Sequence, residues 1–549
     1  MQPRYGTVAR NLGVLLHIPG VMALASVPIS LIFGETAAIW PFLETALISF
    51  GVGQAFYRLP KSGGDTRLQE GMLIAALAWL LIPMLGAIPF LSYAVEMSFR
   101  EGTSPTILLF ENPWNALFEA YSGFTGTGLT MALKVSDFPA SLHWWRSFTE
   151  WIGGVGVIVL MLAILRPGHG VFRLYFSEGR DEKIFPTVRS TVRTIWWVFL
   201  VMTGLGILTF WAAGMGLWDA INYGMTALST GGFGTTDHNL ADFDQTIRLA
   251  AIPVLLGGSI SFAVLYRVLR FGDFKALVGD RQHRLLWYVV FFGTLMVIFE
   301  NLWQFGPEKT PSWIDSCFQW VSALSTGGLQ STDLKSWSHG GKLLLSLAMI
   351  LGAAAGSTVG GFKLVRVAYM WVALRWRFQR IKKAPHQLLS YEFDGERFDE
   401  HTAMTRVEGA SLLIIAGLVV LGLAVYVMLH FIPQRFTLSD LILEMCSTQS
   451  NVGLSTGITS PTLPWGAKLT MILVMWVGRL EIFPVLFLVL TPLGRPKTDK
   501  KNNRSNGKEK ERNGKDSKNG KNGKAESLPG GEHGAGEEED DFELFGEDE

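Results

Sequence analysis

Thr125-Gly126-Thr127-Gly128, Ser229-Thr230-Gly231-Gly232, Ser325-Thr326-Gly327-Gly328 and Ser450-Asn451-Val452-Gly453 are four versions of one short phrase. Counting 25, 25, 24 and 25 residues on from the last glycine of each reaches Gly153, Gly257, Gly352 and Gly478. Counting 13 back reaches Asn115, Asp219, Asp315 and Asp440. In a chain with 60 glycines one coincidence carries no weight, but a register kept at three positions in four places is an internal fourfold repeat. Each unit reads as helix, re-entrant loop and helix, and four units around one axis bring four strips of backbone carbonyls together.

The solvent for this arrangement is lipid. Hydrophobic residues make up 49% of the 549 residues, charged residues only 17%, and mean hydropathy is positive, the composition of a polytopic membrane protein. Cys317 and Cys446 each precede a loop and offer neither a disulfide framework nor a metal cluster. The first apolar run, Leu12 to Phe33, follows Arg4 and Arg10. Ala23-Leu24-Ala25 resembles a cleavage site, but the run continues long enough to span a bilayer and reads as an uncleaved helix. Further apolar segments near 39–57, 71–93, 147–165, 194–214, 249–268, 286–304, 343–373, 409–431 and 467–493 bring the expected spans to ten.

Basic residues fall on alternate connections: Arg58, Lys61 and Arg67; Arg166, Arg173 and Arg180; Arg267, Arg270 and Lys275; Arg375, Arg377, Arg380, Lys382 and Lys383. The positive-inside rule makes these connections and both termini cytoplasmic, with the four loops opening outside. Acidic residues on the outer side, including Glu96, Glu101, Glu111, Asp237, Asp242 and Asp333, would draw cations to the mouth. The organisation expected is an N-terminal helix pair at 1–69, repeats at 70–172, 173–281, 282–390 and 391–495, and a tail at 496–549. The tail is Lys/Asn/Gly-rich and then acidic, a composition that buries no core; its basic half suits contact with anionic membrane lipid.

About ten residues precede each loop, Asn115–Phe124, Asp219–Leu228, Asp315–Leu324 and Asp440–Gln449. At about 1.5 Å per residue such a helix crosses only half of the hydrocarbon core. Asn or Asp at its start is expected to serve as N-cap, which leaves the partially negative C-terminal end facing the axis and a cation. Backbone that leaves a helix at membrane depth must line a water or ion path. Small Gly, Ser and Thr side chains let the main chain extend with its carbonyls on that axis, the construction of a potassium filter.

The loop Ser122-Gly123-Phe124-Thr125-Gly126-Thr127-Gly128, the segment Gly86-Ala87-Ile88-Pro89-Phe90, the run Trp151-Ile152-Gly153-Gly154-Val155-Gly156 and the motif Gly478-Arg479-Leu480-Glu481-Ile482 resemble the TrkH subunits of bacterial Trk potassium uptake systems, in a superfamily with Ktr and plant HKT transporters. The resemblance covers roughly residues 8–495. It implies an all-α polytopic fold with four pseudo-symmetric helix, pore-loop, helix repeats around one pore plus an N-terminal helix pair, in the bacterial inner membrane. It implies potassium bound at Thr125, Gly126, Thr127, Gly128, Ser229, Thr230, Gly231, Gly232, Ser325, Thr326, Gly327, Gly328, Ser450, Asn451, Val452 and Gly453. Glycine at the key position of all four loops goes with potassium in that superfamily, and serine in the first goes with sodium. The sequence departs from the pattern at Gly126, where related first loops often carry Thr, and a looser first copy is expected. The resemblance also implies a homodimer and a cytoplasmic TrkA-like nucleotide-binding ring, for which Arg375 to Lys383 is the candidate contact.

Within the third repeat Gly352-Ala353-Ala354-Ala355-Gly356-Ser357-Thr358-Val359-Gly360-Gly361 interrupts what is otherwise one long helix, each glycine disfavouring helix by about 1 kcal/mol relative to Ala. A flexible segment at that depth suits a gate, which the resemblance also implies; Gly352, Gly356, Ser357, Thr358, Gly360, Gly361, Lys363 and Arg479 are its candidate residues. Arg479 lies mid-span, where a charge requires a cavity or a partner; Glu481 and the loop carbonyls are the candidates. For Lys363, at the cytoplasmic end of the broken helix, snorkelling is the alternative to a place in the gate.

Other classes fare worse. The histidines, among them His143, His238 and His339, are scattered and no paired acids or nucleophile suggest an enzyme. The four copies share one orientation, unlike the inverted repeats of many secondary transporters. No phosphate-cradling motif points to ATP binding by this chain, and nothing points to nucleic acid. A sodium-permeable or sodium-coupled transporter of the same fold is the competing reading.

Overall fold

The computed structural model describes residues 4–58, 67–156, 188–309, 311–383 and 391–490. Lys61, Arg166, Arg173, Arg180, part of the expected span at 147–165 and the tail at 496–549 lie outside the described residues. Among the described residues the fold is all-α apart from one short antiparallel ribbon, Tyr391–Phe393 against Glu396–Phe398.

Among the described residues six helices are long and apolar enough to cross a membrane: Tyr5–Ile32, Thr36–Arg58, Leu68–Ser98, Ser190–Ala212, Arg281–Gly306 and Glu400–Met428. The first two form the N-terminal pair. The other four each open a repeat and are followed by a short helix: Pro113–Thr125, Leu217–Ser229, Trp313–Leu324 and Leu438–Gln449. Each repeat ends on a closing helix that begins at Ala140, Gln245, His339 or Trp465. The closing helix of each repeat packs on the short helix of the next, and that of the fourth packs on the first, so the units close into a ring.

The closing helices depart from the expectation of single continuous spans. Gln245–Ser259 turns by 110° into Phe262–Phe271, and Trp465–Arg479 turns by 114° into Phe483–Leu490. His339–Leu351 ends at Gly352 and helix resumes only at Leu364. The expected break in the third repeat is present, and the second and fourth repeats break at a similar distance in sequence from their loops. The fourth break places Glu481 and Ile482 at φ of 54° and 73°, a strained conformation for side-chain-bearing residues that nothing in a propensity scale announces.

The short helices begin three residues earlier than the sequence suggested. Their N-caps are Asn112, Gly216, Ser312 and Thr437, with Asn115, Asp219, Asp315 and Asp440 inside the first turn. Thr437 and Asp440 form a capping box, and Ser312 accepts from the Asp315 amide at 3.1 Å. Three of the four first-turn residues tie the ring together instead. Lys468 of the fourth repeat donates to Asn115 at 2.6 Å, Arg248 of the second pairs with Asp315 at 3.2 Å, and Lys342 of the third pairs with Asp440 at 2.7 Å. At the remaining seam His143 holds the corresponding register, and Asp219 accepts from Thr235 Oγ1 of its own repeat at 2.7 Å.

Candidate functional site

Each short helix ends the same way. A residue in left-handed conformation follows it, Gly126, Thr230, Thr326 or Asn451, with φ of 70°, 56°, 50° and 54°. The next amide then reaches back five residues: Thr127 to the Ser122 carbonyl, Gly231 to Thr226, Gly327 to Ser322 and Val452 to Ser447, at 2.8–2.9 Å. This is the Schellman arrangement, which turns the chain off the helix axis while satisfying helix-end carbonyls. Gly126 stands at this helix-terminating position in the first copy. It occupies a position that is left-handed in every copy and relieves there the strain that Thr230, Thr326 and Asn451 carry.

One step further, Gly128, Gly232, Gly328 and Gly453 have φ of 73°, 100°, 66° and 112° and meet at the centre of the ring. A Cβ on Gly453 would lie 2.7 Å from the Thr127 carbonyl oxygen, 3.3 Å from Gly328 Cα and 3.4 Å from Gly128 Cα. One on Gly232 would lie 3.0 Å from the Val452 oxygen and 3.1 Å from Gly328 Cα, and those on Gly128 and Gly328 would run into the Gly231 and Val452 carbonyls. Four glycines from four repeats thus meet in one ring with the carbonyls of Thr127, Gly231 and Val452. Its first and fourth members are tied by Asn451 Nδ2, which donates to Thr127 Oγ1 at 2.9 Å.

Glycines of the closing helices allow this closeness. A Cβ on Gly153 or Gly478 would collide with the carbonyl of Phe124 or Gln449, the end of a short helix. The counterpart in the second repeat is Gly258, whose Cβ would lie 2.7 Å from the Leu228 oxygen; Gly257, reached by counting, faces the Met202 side chain.

Residues 352–363 of the third repeat lie against the helix ends that carry the ring. Thr358 Oγ1 donates to the carbonyls of Leu228 and Gly258, each at 3.0 Å, and Thr230 Oγ1 donates to the Thr358 carbonyl at 3.1 Å. The Gly360 amide donates to Thr326 Oγ1 at 3.0 Å, and a Cβ on Gly360 would strike the Ser450 carbonyl. Gly356, Ser357, Thr358, Gly360, Gly361, Lys363 and Arg479 line one cavity together with Asn451, Trp79 and Glu481. Its free volume is about 40 Å³, room for a few water molecules or ions and nothing larger. Arg479 does not pair with Glu481. It donates to the carbonyls of Gly153 and Gly154 and stacks over Trp79, 5.0 Å from the ring centroid. Glu481 instead receives Lys363 Nζ at 2.5 Å and Arg366, so Lys363 is drawn inward and does not snorkel.

A family model described as TrkH, cation transport protein, matches residues 44–498. The chain belongs to the TrkH family. A Trk system potassium uptake protein TrkH of Halomonas elongata is 28% identical over 504 residues, covering 88% of this chain and 97% of the relative. An uncharacterized cation transporter of Methanocaldococcus jannaschii is 29% identical over 483 residues, 87% of this chain and 94% of its own. The crystal structure of the potassium transporter TrkH from Vibrio parahaemolyticus shares the fold, with a TM-score of 0.73 at 24% identity over 90% of this chain and all of that one.

Buried carboxylates behind the ring were missed in the sequence of this TrkH-family chain. Glu119 accepts from the Met131 amide and from Arg146 Nε, both at 2.8 Å. Glu444 accepts from the amides of Thr456 and Thr459 at 2.9 and 3.0 Å, and Glu150 from the Phe233 amide at 3.1 Å. Each is fully buried. A glutamate inside a membrane-depth helix is the signal that identifies them, since such a charge persists only with donors around it.

Proposed function

We propose that this chain is a potassium uptake transporter of the bacterial inner membrane, conducting through the central ring. The observation that carries the reading is the meeting of Gly128, Gly232, Gly328 and Gly453, all left-handed, with carbonyls of Thr127, Gly231 and Val452 around them. A dehydrated cation needs such a set of oxygens in place of its hydration shell. The names of the Halomonas and Vibrio relatives support potassium as the ion. Residues 352–361 with Lys363 and Arg479 act as the gate: the loop bonds to the ends of the short helices, and Arg479 brings a fixed cation to the cavity it shares with that loop.

The basic connections support cytoplasmic termini. A homodimer and a TrkA-like ring docking near Arg375 to Lys383 complete the proposal. Growth of cells lacking their own potassium uptake, on limiting potassium, tests it: the chain restores growth and Gly453→Ser does not. Restoration by neither rejects the reading.

A further inference from the structure

The loops repeat fourfold, but what stands behind them does not. The ninth residue before each ring glycine is Glu119, Tyr223, Gln319 and Glu444, and all four are buried to 0% exposure. In the first and fourth repeats this residue is a carboxylate that grips the limb leaving the ring. Glu119 holds the Met131 amide at 2.8 Å and Thr130 Oγ1 at 2.9 Å. Glu444 holds the Thr456 and Thr459 amides, Ser455 Oγ at 2.8 Å and Thr459 Oγ1 at 2.5 Å. In the second repeat the hydroxyl of Tyr223 makes a longer bond of 3.3 Å to Thr236 Oγ1, and the limb is held from the neighbouring repeat by Glu150. In the third, neither amide atom of Gln319 has a hydrogen-bond partner among the described residues. Nor has the hydroxyl of Ser331, which stands at the register of Thr456.

We infer that Glu119 and Glu444 are positioning residues for ion selection, holding the limbs of two adjacent repeats so that the ring keeps one diameter. The inference rests on the filter function proposed above. A strand of Gly, Ser and Thr has little intrinsic order, and a ring that discriminates between ions differing in radius by fractions of an ångström must be held from outside. Charge-assisted bonds from backbone amides to a buried carboxylate are among the stiffest restraints available. The two carboxylate-held strands are also the pair joined by Asn451 and Thr127, and the limb of the third strand is tied to the carboxylate-held fourth through Gln330 Nε2, which donates to the Ser455 carbonyl at 3.0 Å.

The test is the rubidium-to-sodium flux ratio of the full chain in proteoliposomes, for Glu444→Gln and Glu119→Gln, with Gly453→Ser alongside. An amide in place of the carboxylate turns an NH2 group toward N–H donors, and the ratio should fall roughly tenfold, the scale of one charge-assisted bond. A residue that only supports folding would lower the yield of monodisperse protein and leave the ratio of the folded fraction alone. Because Glu119→Gln strands Arg146 and could cost the fold, Thr130→Val and Ser455→Ala remove one donor each and keep the charge; a smaller fall in the same direction is expected. An unchanged ratio in every folded glutamate and donor variant, with Gly453→Ser altering it, overturns the inference alone. An unchanged ratio in Gly453→Ser as well overturns the filter reading beneath it.

Discussion

Lys363 Nζ lies 2.5 Å from Glu481 Oε1, and the two residues sit in the left-handed region at φ of 69° and 54°. The pair joins the end of the third repeat's non-helical loop to the bend in the last closing helix. Strained backbone of this kind persists only where its surroundings over-determine it, and costs of order 1–3 kcal/mol per residue. Removing the cation should free the loop: Lys363→Ala is predicted to raise cation flux per folded protein, measured as rubidium uptake into proteoliposomes. A pair that only braces the fold would instead give unchanged flux and a lower melting temperature.

Arg479 tests the same gate from the other side. It donates to carbonyls of the first repeat, and Arg479→Ala removes a fixed positive charge from the cavity that the loop lines. Flux should rise severalfold. Equal flux in the variant and the parent would leave Arg479 as a brace between the fourth and first repeats.

The two left-handed positions of each loop should respond differently. Gly126 has open space, its nearest neighbour for an added Cβ being the Thr230 carbonyl oxygen at 3.8 Å, so Gly126→Asn should cost about 1 kcal/mol of stability and leave selectivity intact. A Cβ on Gly453 meets the Thr127 oxygen at 2.7 Å, so Gly453→Ser should disturb the ring itself. Thermal unfolding in detergent together with the potassium-to-sodium flux ratio separates the two outcomes. Loss of selectivity in Gly126→Asn would contradict the assignment of that residue to helix termination.

The seams between repeats carry stability. Lys342 is 4% exposed and pairs with Asp440 across the third and fourth repeats, and removing one partner of such a buried pair costs about 3–5 kcal/mol. Lys342→Met should therefore lower the unfolding temperature strongly. His143→Ala, at a seam whose corresponding position carries no cation–carboxylate pair among the described residues, should lower it far less. Similar losses in both would mean that packing, not charge, holds the ring.

The repeat was legible because it depends on glycine, and glycine is where backbone geometry writes itself into sequence. The ring glycines, Gly153, Gly478 and the break after Leu351 could all be found by counting. Counting failed by one residue at Gly257, since a closing helix can shift its register while packing the next glycine, Gly258, on the same carbonyl. It failed by three at the helix starts, where Ser312 and Thr437 cap and the following aspartates serve the neighbouring repeat or the capping box. The bend at Leu480–Ile482 was not legible, because non-glycine residues adopt left-handed conformations there under tertiary constraint alone. Glu119, Glu150 and Glu444 were readable in principle, but their donors lie in other segments, and Glu150 is held by an amide 83 residues away.

The most direct test of the central claim is cation flux into proteoliposomes containing only this chain, with potassium, rubidium and sodium compared side by side. Selection by the four-loop ring predicts potassium and rubidium flux far above sodium, a preference lost in Gly453→Ser. Sodium flux equal to potassium, unaltered by that substitution, would contradict it.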